Sequence, residues 1–212
     1  MIRIVTVERE YGSGGGIIAK KLADRLQWKL WDQLLTTEIA RLSHCHQSQV
    51  ELREERVDPL YYRLFKSILR GSFEGSLNLH RLKLLDADTI LRLSKHVIEE
   101  AAAEGDCVIV GRGSQHFLRD REDTLRVFLY ASTEAKVNRL RAEGMSQQEA
   151  EEAVRTIDTE RAAFIERYFN LQWPTRSTYH AMLNTDFGEE AVISSILNMK
   201  DALEVPNSVP RP

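Results

Sequence analysis

Near the N-terminus a β-branched run, Ile2-Arg3-Ile4-Val5-Thr6-Val7, passes through Glu8-Arg9-Glu10-Tyr11 into Gly12-Ser13-Gly14-Gly15-Gly16 and on to Ile17-Ile18-Ala19-Lys20-Lys21-Leu22. Alternation, then a glycine cluster, then apolar residues at Ile18, Leu22 and Leu26 predict strand, tight loop and helix in succession. Glycines let the backbone turn with positive φ and bring successive N–H groups close to an anion. The helix that follows adds the partial positive charge of its N-terminus. The order predicts a phosphate-binding architecture.

The side chains that usually complete such a loop are missing. The pattern G-x-x-x-x-G-K-[ST] uses its lysine on the β- and γ-phosphates and its hydroxyl on Mg²⁺. With Gly14 as the last loop glycine, Gly15 stands at the lysine position, Gly16 at the hydroxyl position and Arg9 at the first glycine. The same residues fit a competing pattern: Gly14-x-Gly16-x-x-Ala19 matches a dinucleotide fingerprint, with Asp32 as the acid that would bind a ribose at the end of a second strand. A third reading is a turn that only lets helix and strand pack closely.

A chain of 212 residues suffices for one α/β domain with a substantial core and a small inserted segment. A net charge of -3 gives no global basic character, so nucleic acid is not an expected partner and any positive potential must be local. Cys45 and Cys107 are far apart and in no C-x-x-C arrangement, which predicts neither a disulfide framework nor a zinc site and fits a reducing cytosol. With no signal-peptide pattern and no apolar run of membrane-spanning length, a cytoplasmic protein is expected, without membrane partners.

Further along, Trp28 to Asp32 reads as a short strand ending in an acid, and Gln33 to Leu42 as a helix with Leu34, Leu35, Ile39 and Leu42 on one face. His44-Cys45-His46 reads as a polar helix end, since adjacent ligands on one segment do not converge on one ion. About residues 45–85 form an expected helical insertion, whose Tyr61, Tyr62 and Phe65 could stack on a base or simply pack. A helix is expected from about Asp88 to Ala103, with Asp86 or Asp88 as N-cap candidates and Gly105 ending it. Cys107-Val108-Ile109-Val110 then reads as a strand buried on both faces. Leu125 to Tyr130 is the next strand, followed by a helix opening at Thr133. Ser146-Gln147-Gln148-Glu149 is a capping-box pattern for a helix through Tyr168. In that helix Arg155, Arg161 and Arg167 recur every six residues, and Asp158 between the first two allows a solvated ion-pair ladder. A short strand at 179–185 and a helix from Gly188 to about Leu203 close a single domain of residues 1–203. The proline-bearing tail 204–212 is expected to be disordered.

Strands alternating with helices predict a doubly wound parallel sheet with ligands at the carboxyl ends of its strands. The glycine loop, Asp32, Arg112 and Ser132 each follow a predicted strand and so share that edge.

On these residues the chain resembles the cytidylate kinase-like family, relatives of the P-loop nucleoside monophosphate kinases. The matching stretches are Val7 to Gly15, the Asp32 region, Cys107 to Gly113 with its Gly111-Arg112-Gly113, Val127 to Ser132, Asp158 to Arg161, and Leu183-Asn184-Thr185. The resemblance implies a P-loop kinase sheet with a helical acceptor and lid excursion, using ATP and Mg²⁺. Gly12, Ser13, Gly14, Gly15 and Gly16 would cradle the donor phosphates, and Arg112 would face the acceptor phosphate. Asp32 would lie beside the reacting phosphates. Arg155 and Arg161, with Lys136 and Arg139, would belong to a mobile lid over about 136–170. No metal ligand is assigned.

Several family residues are absent. Against the true cytidylate kinases the loop lysine and hydroxyl are missing, though the cytidylate kinase-like branch commonly reads G-S-G-G here, so the missing lysine is a feature of the branch. The acid of the G-R-D is Gly113, and the phosphate-binding arginine that in true cytidylate kinases follows the strand-two acid by six residues is Glu38. Arg9 is the nearest candidate to replace the lost cation, ahead of Lys20 and Lys21. The expected activity is ATP-dependent phosphoryl transfer to a nucleoside monophosphate or other small molecule. The alternative is a catalytically weak or inactive nucleotide-binding sensor, followed by a dinucleotide-dependent oxidoreductase.

Overall fold

In the computed structural model, residues 1–42, apart from 33, 36 and 40, and residues 87–204 are described. The expectations for His44-Cys45-His46, for the helical insertion about 45–85 and its aromatics, for an Asp86 cap and for the tail beyond 204 lie outside these residues.

Five strands, β1 (Ile4–Arg9), β2 (Lys29–Trp31), β3 (Cys107–Val110), β4 (Thr124–Tyr130) and β5 (Ala181–Asn184), form one sheet in the order β2-β3-β1-β4-β5. Every pairing is parallel. The helices are α1 (Gly15–Leu26), α2 (Ala87–Glu104), α3 (Ser114–Phe117), α4 (Thr133–Ala142), α5 (Gln147–Phe169) and α6 (Glu189–Glu204). Residues 34–35, 37–39 and 41–42 are also helical.

Alternation along β1 sends its side chains to two separate cores. Val5 and Val7 join Val108, Val110, Leu125, Val127 and Leu129 under α1 (Ile18, Ala19, Leu22) and α6 (Val192, Ile193, Ile196). Ile4 joins Cys107 and Ile109 under α2 (Leu93, Val97, Ile98, Ala101), with Trp31, Leu35 and Ile39. Burial on both faces explains why β3 is a continuous apolar run. It also pushes the Cys107 thiol up to about 12, where it is an inert core side chain.

A third cluster holds α4 and α5 to the glycine loop. The Tyr11 ring is buried among Val137, Leu140, Ala150, Val154 and Ile157. The capping box that predicted the start of α5 is formed: the Ser146 hydroxyl accepts from Glu149 N–H at 3.3 Å and the Glu149 carboxylate accepts from Ser146 N–H at 2.9 Å.

The strand order decides against the dinucleotide reading of the glycines. In that architecture the acid-bearing second strand lies beside β1, whereas here β3 is inserted between β1 and β2. The carboxyl ends of β1 and β3 are therefore neighbours, and the chain leaves them through residues 10–14 and through Gly111-Arg112-Gly113.

Candidate active site

The loop after β1 turns twice through the left-handed region, at Gly12 (φ 74°) and at Gly14 (φ 77°), and Gly14 is the N-cap of α1. Its carbonyls are hydrogen-bonded. Glu10 C=O accepts from the Ser13 hydroxyl at 2.8 Å and Gly12 C=O from Arg139 Nη1 at 3.4 Å. Ser13 C=O accepts from the Thr185 hydroxyl at 2.7 Å, and Gly14 C=O from Ile18 N–H at 3.1 Å. The first N–H groups of α1, from Gly15 and Gly16 onward, have no intrahelical acceptor by position. Within the loop Tyr11 N–H and Ser13 N–H are already used, on Asp158 and on Glu10 C=O, so what the loop has for an anion is the first turn of α1 with the positive end of the helix dipole.

Beside the loop, at the ends of β1 and β3, a small pocket is lined by Glu8, Arg9, Arg112, Gly113, Arg161, Ile165 and Trp173. Its three arginines are 3–5% exposed. Burial pushes Arg112 and Arg161 each down to about 10. The charge of Asp32 opposes this at Arg112, and the repulsion of Arg9 adds to it at both. Among the described lining residues the carboxylate is Glu8, which accepts from Arg9 N–H at 3.1 Å and from Gln115 Nε2 at 2.9 Å. Arg9 Nη1 lies 3.9 Å from Glu8 Oε1, and Arg161 Nη1 donates to Arg9 C=O at 2.8 Å. The buried indole N–H of Trp173 has no hydrogen-bond partner among the described residues and adds a further donor.

Arg112 sits in an unusual backbone run. Gly111, Arg112 and Gly113 have φ of 66°, 60° and 76° in succession. A side chain at positive φ costs about 1–3 kcal/mol and persists where the surroundings impose it, typically at functional sites. Gly113 has a second reason to lack a side chain: a Cβ there would stand 2.8 Å from Phe169 Cζ. The place of the acid in the G-R-D pattern is filled by the Phe169 ring, on which His116 stacks at 4.3 Å.

Of the residues singled out in the sequence, Arg9, Arg112 and Arg161 meet in the pocket, and Asp32 is buried within electrostatic reach of Arg112. Gly12 to Gly16 form the loop. Arg155 does not join them: its side chain is 78% exposed and pairs with Glu152 at 3.6 Å, where the ladder reading expected Asp158. Lys136 is no lid cation, because it is buried between Glu10 at 3.0 Å and Asp158 at 3.2 Å. Arg139 ties Gly12 C=O to Thr185 C=O. Lys20 pairs with Asp24, Lys21 with Glu189 and Glu38 with Arg41, all on exposed surface. Ser132 is the N-cap of α4, its hydroxyl accepting from Ala135 N–H at 3.2 Å. Arg9 is the last residue of β1, 3% exposed.

Asp158 is a correction of another kind. It is not solvated: its carboxylate accepts from Tyr11 N–H at 2.8 Å, Lys136 Nζ at 3.2 Å and Arg161 Nη1 at 3.5 Å, fastening α5 to the loop. Spacing could not reveal this, since Tyr11 and Asp158 are 147 residues apart. Glu8 and Trp173 were also missed, and Trp173 carries no motif by which it could have been found.

Among solved structures, the chain is similar to an uncharacterized protein from Eubacterium ventriosum ATCC 27560, at 21% identity over 95% of this chain and 99% of that one, with a TM-score of 0.68. It is similar to a shikimate kinase from Bacteroides thetaiotaomicron at 17% identity, covering 95% and 98%, with a TM-score of 0.51. A shikimate kinase from Acinetobacter baumannii, solved in complex with shikimate, matches at 15% identity, covering 97% and 96%, with a TM-score of 0.53. At these identities the likeness is one of fold, that of the P-loop kinases. No curated protein matches. Residues 4–187, from the first residue of β1 to the turn before α6, match the cytidylate kinase-like family. By that match, over the loop, the arginine pocket and the helices that hold them, the chain belongs to the cytidylate kinase-like family.

Proposed function

We propose that this protein is a phosphotransferase. It moves the γ-phosphoryl group of ATP, with Mg²⁺, to a nucleoside monophosphate or another small acceptor that carries an anionic group. The observation that carries the proposal is the pocket of three buried guanidinium groups beside the glycine loop and the first turn of α1, at the neighbouring ends of β1 and β3. Phosphoryl transfer needs positioning, charge neutralisation and exclusion of water more than a covalent nucleophile. A planar guanidinium suits phosphate oxygens, and its hydrogen bonds to an anion are the strong, charge-assisted kind.

The bond broken joins the γ-phosphorus to the β,γ-bridging oxygen, and the bond made joins it to an acceptor oxygen; ADP leaves, and where the acceptor is a hydroxyl its proton is released to solvent. Gly12 to Gly16 hold the donor phosphates and Arg112 holds the acceptor's anionic group. Arg161, fixed by Asp158 and Arg9 C=O, neutralises charge between them. Mg²⁺ is commonly bound through phosphate oxygens and water with one or two carboxylates, and Asp32 is the acid we assign to it. Two cysteines without a pairing motif fit a cytoplasmic setting.

The bare glycines at positions 15 and 16 favour one second reading, a nucleotide-binding sensor with little turnover. Thermal-shift measurements with ATP, ADP, NAD and the common nucleoside monophosphates, with and without Mg²⁺, separate ligand classes. An ADP-release screen over monophosphates and hydroxylated carboxylates, shikimate included, then separates enzyme from sensor. Stabilisation by ATP with acceptor-dependent ADP release is expected. Stabilisation by NAD and not ATP would sink the phosphotransferase reading, and ATP binding without transfer to any acceptor would leave the sensor.

A further inference from the structure

We infer that the cation of this phosphate loop enters from β1 instead of from α1. Arg9 does the work of a lysine at position 15, and Gly15 lacks a side chain because the stem of Arg9 fills its space. The inference rests on the phosphotransferase reading above and assigns the loop's cation within it.

Gly15 is the first residue of α1 and is not among the glycines of positive φ. Nothing in its own backbone calls for glycine, which is among the poorest helix formers. Its neighbour supplies the reason: a Cβ on Gly15 would stand 2.7 Å from Arg9 Cβ and 2.9 Å from Arg9 Cγ. A side chain at 15 and an arginine at 9 exclude each other. In the usual loop pattern the first position is glycine and the helix-opening position lysine, and here the two are exchanged.

From Gly15 the Arg9 side chain runs across to β3, where a Cβ on Gly111 would overlap Arg9 Nη1. The stem thus touches the donor loop at Gly15 while the guanidinium reaches the end of β3, in the pocket it lines with Arg112 and Arg161. A fork in that position can hold oxygens of the γ-phosphoryl group while it passes from donor to acceptor. It would therefore contribute to ATP over ADP and to turnover more than to nucleotide binding as such.

The test uses the full chain and six proteins: wild type, Arg9→Met, Arg9→Gly, Gly15→Ala, Arg9→Gly/Gly15→Ala and Arg9→Gly/Gly15→Lys. Arg9→Met keeps the apolar stem against Gly15 and removes the charge. Affinities for ATP and ADP are measured by titration calorimetry, and turnover with whichever acceptor the screen identifies. Expected are a wild-type preference for ATP over ADP, its loss by tenfold or more in Arg9→Met, and a fall in turnover of about 10²–10³. Gly15→Ala should impair the wild type but be silent in the Arg9→Gly background. Arg9→Gly/Gly15→Lys should regain at least tenfold of the ATP preference that Arg9→Gly lost.

An ATP-to-ADP ratio unchanged in Arg9→Met, or no recovery in Arg9→Gly/Gly15→Lys relative to Arg9→Gly, overturns the assignment of Arg9 while the phosphotransferase reading stands. Should Arg9→Met not fold, the comparison of Arg9→Gly with its Gly15→Lys partner decides alone. A wild type that binds neither nucleotide overturns both.

Discussion

Asp158→Ala should be among the most damaging substitutions outside the apolar core, because one carboxylate serves three donors. It accepts from Tyr11 N–H, Lys136 Nζ and Arg161 Nη1 at 2.8, 3.2 and 3.5 Å. The side chain is 17% exposed, and those of Lys136 and Arg161 are 8% and 3% exposed, so water replaces little of what is lost. Orphaning a buried N–H costs about 1–3 kcal/mol. Breaking a buried ion pair costs about 3–5 kcal/mol, but Lys136 keeps Glu10 and Arg161 keeps Arg9 C=O, which puts this share near 2 kcal/mol. The sum is about 4 kcal/mol, or roughly 8–16 °C in melting temperature for a domain of this size.

Asp158→Asn separates the two contributions. Its amide oxygen can still accept from Tyr11 N–H, so only the charge is lost, at about 2 kcal/mol. Urea unfolding of both variants gives the comparison, and Glu152→Ala, whose partner Arg155 is exposed, serves as a control expected within about 0.5 kcal/mol of wild type. Equal losses for Ala and Asn would show that the Tyr11 amide does not depend on Asp158. A loss below about 1 kcal/mol for Ala would refute the reasoning that the buried carboxylate fastens α5 to the loop.

Arg112→Ala should raise the acceptor KM about 10–100-fold, the worth of a charge-assisted hydrogen bond, while leaving ATP affinity within about twofold; the reverse pattern in steady-state kinetics would put the two substrates on the wrong sides. Gly113→Ala should cost about 2 kcal/mol or more in urea unfolding, from positive φ and from the Phe169 ring at 2.8 Å, and a neutral result would mean that neither constrains the turn. His116 gives a pH signature: burial, with the charge of Arg119, holds it down at about 4 against an ordinary value near 6.5. The unfolded chain binds the extra proton between those values, so the stability from a neutral His116 is whole above about pH 6.5 and is lost as pH falls toward 4, by roughly 3 kcal/mol. His116→Phe, which keeps a ring against Phe169, should flatten that part of the stability profile, and an unchanged slope would assign it to other groups.

Much of the fold was legible because its signals are local. The apolar run 107–110 is β3 to the residue, and the Ser146–Glu149 box sets the start of α5. α1 opens at Gly15, three residues before Ile18, the first apolar residue of its period, and α6 runs one residue further than expected, through Glu204. The error at β1 is more instructive. Its alternation ends the strand at Val7, yet it continues through Glu8 and Arg9, two charged residues that are 5% and 3% exposed. Hydropathy assigns such residues to a loop, and only a pocket of opposite and like charges explains their burial. α3 was missed because four residues carry no helical period.

What sequence could not supply is the neighbour that gives a residue its meaning. A glycine at the acid position of G-R-D reads as a loss until Phe169, 56 residues later, is found in the space. The glycine at 15 likewise reads as a missing lysine until the stem of Arg9 is found there. Asp158 reads as half of a helix-surface pair until Tyr11 is found at its oxygen. In two of these cases the side chain absent from one position has its volume taken by a neighbour, and in the third an acid is drawn inward to hold the loop. Random decay of a phosphate site would leave cavities and unpaired loop carbonyls. Here the loop carbonyls from Gly12 to Gly14 are hydrogen-bonded and three arginines remain gathered at the end of β1. A site that had only lost its lysine would not need a glycine in its place, since alanine opens a helix at lower cost. The bare first turn of α1 is what an arginine arriving from the neighbouring strand requires.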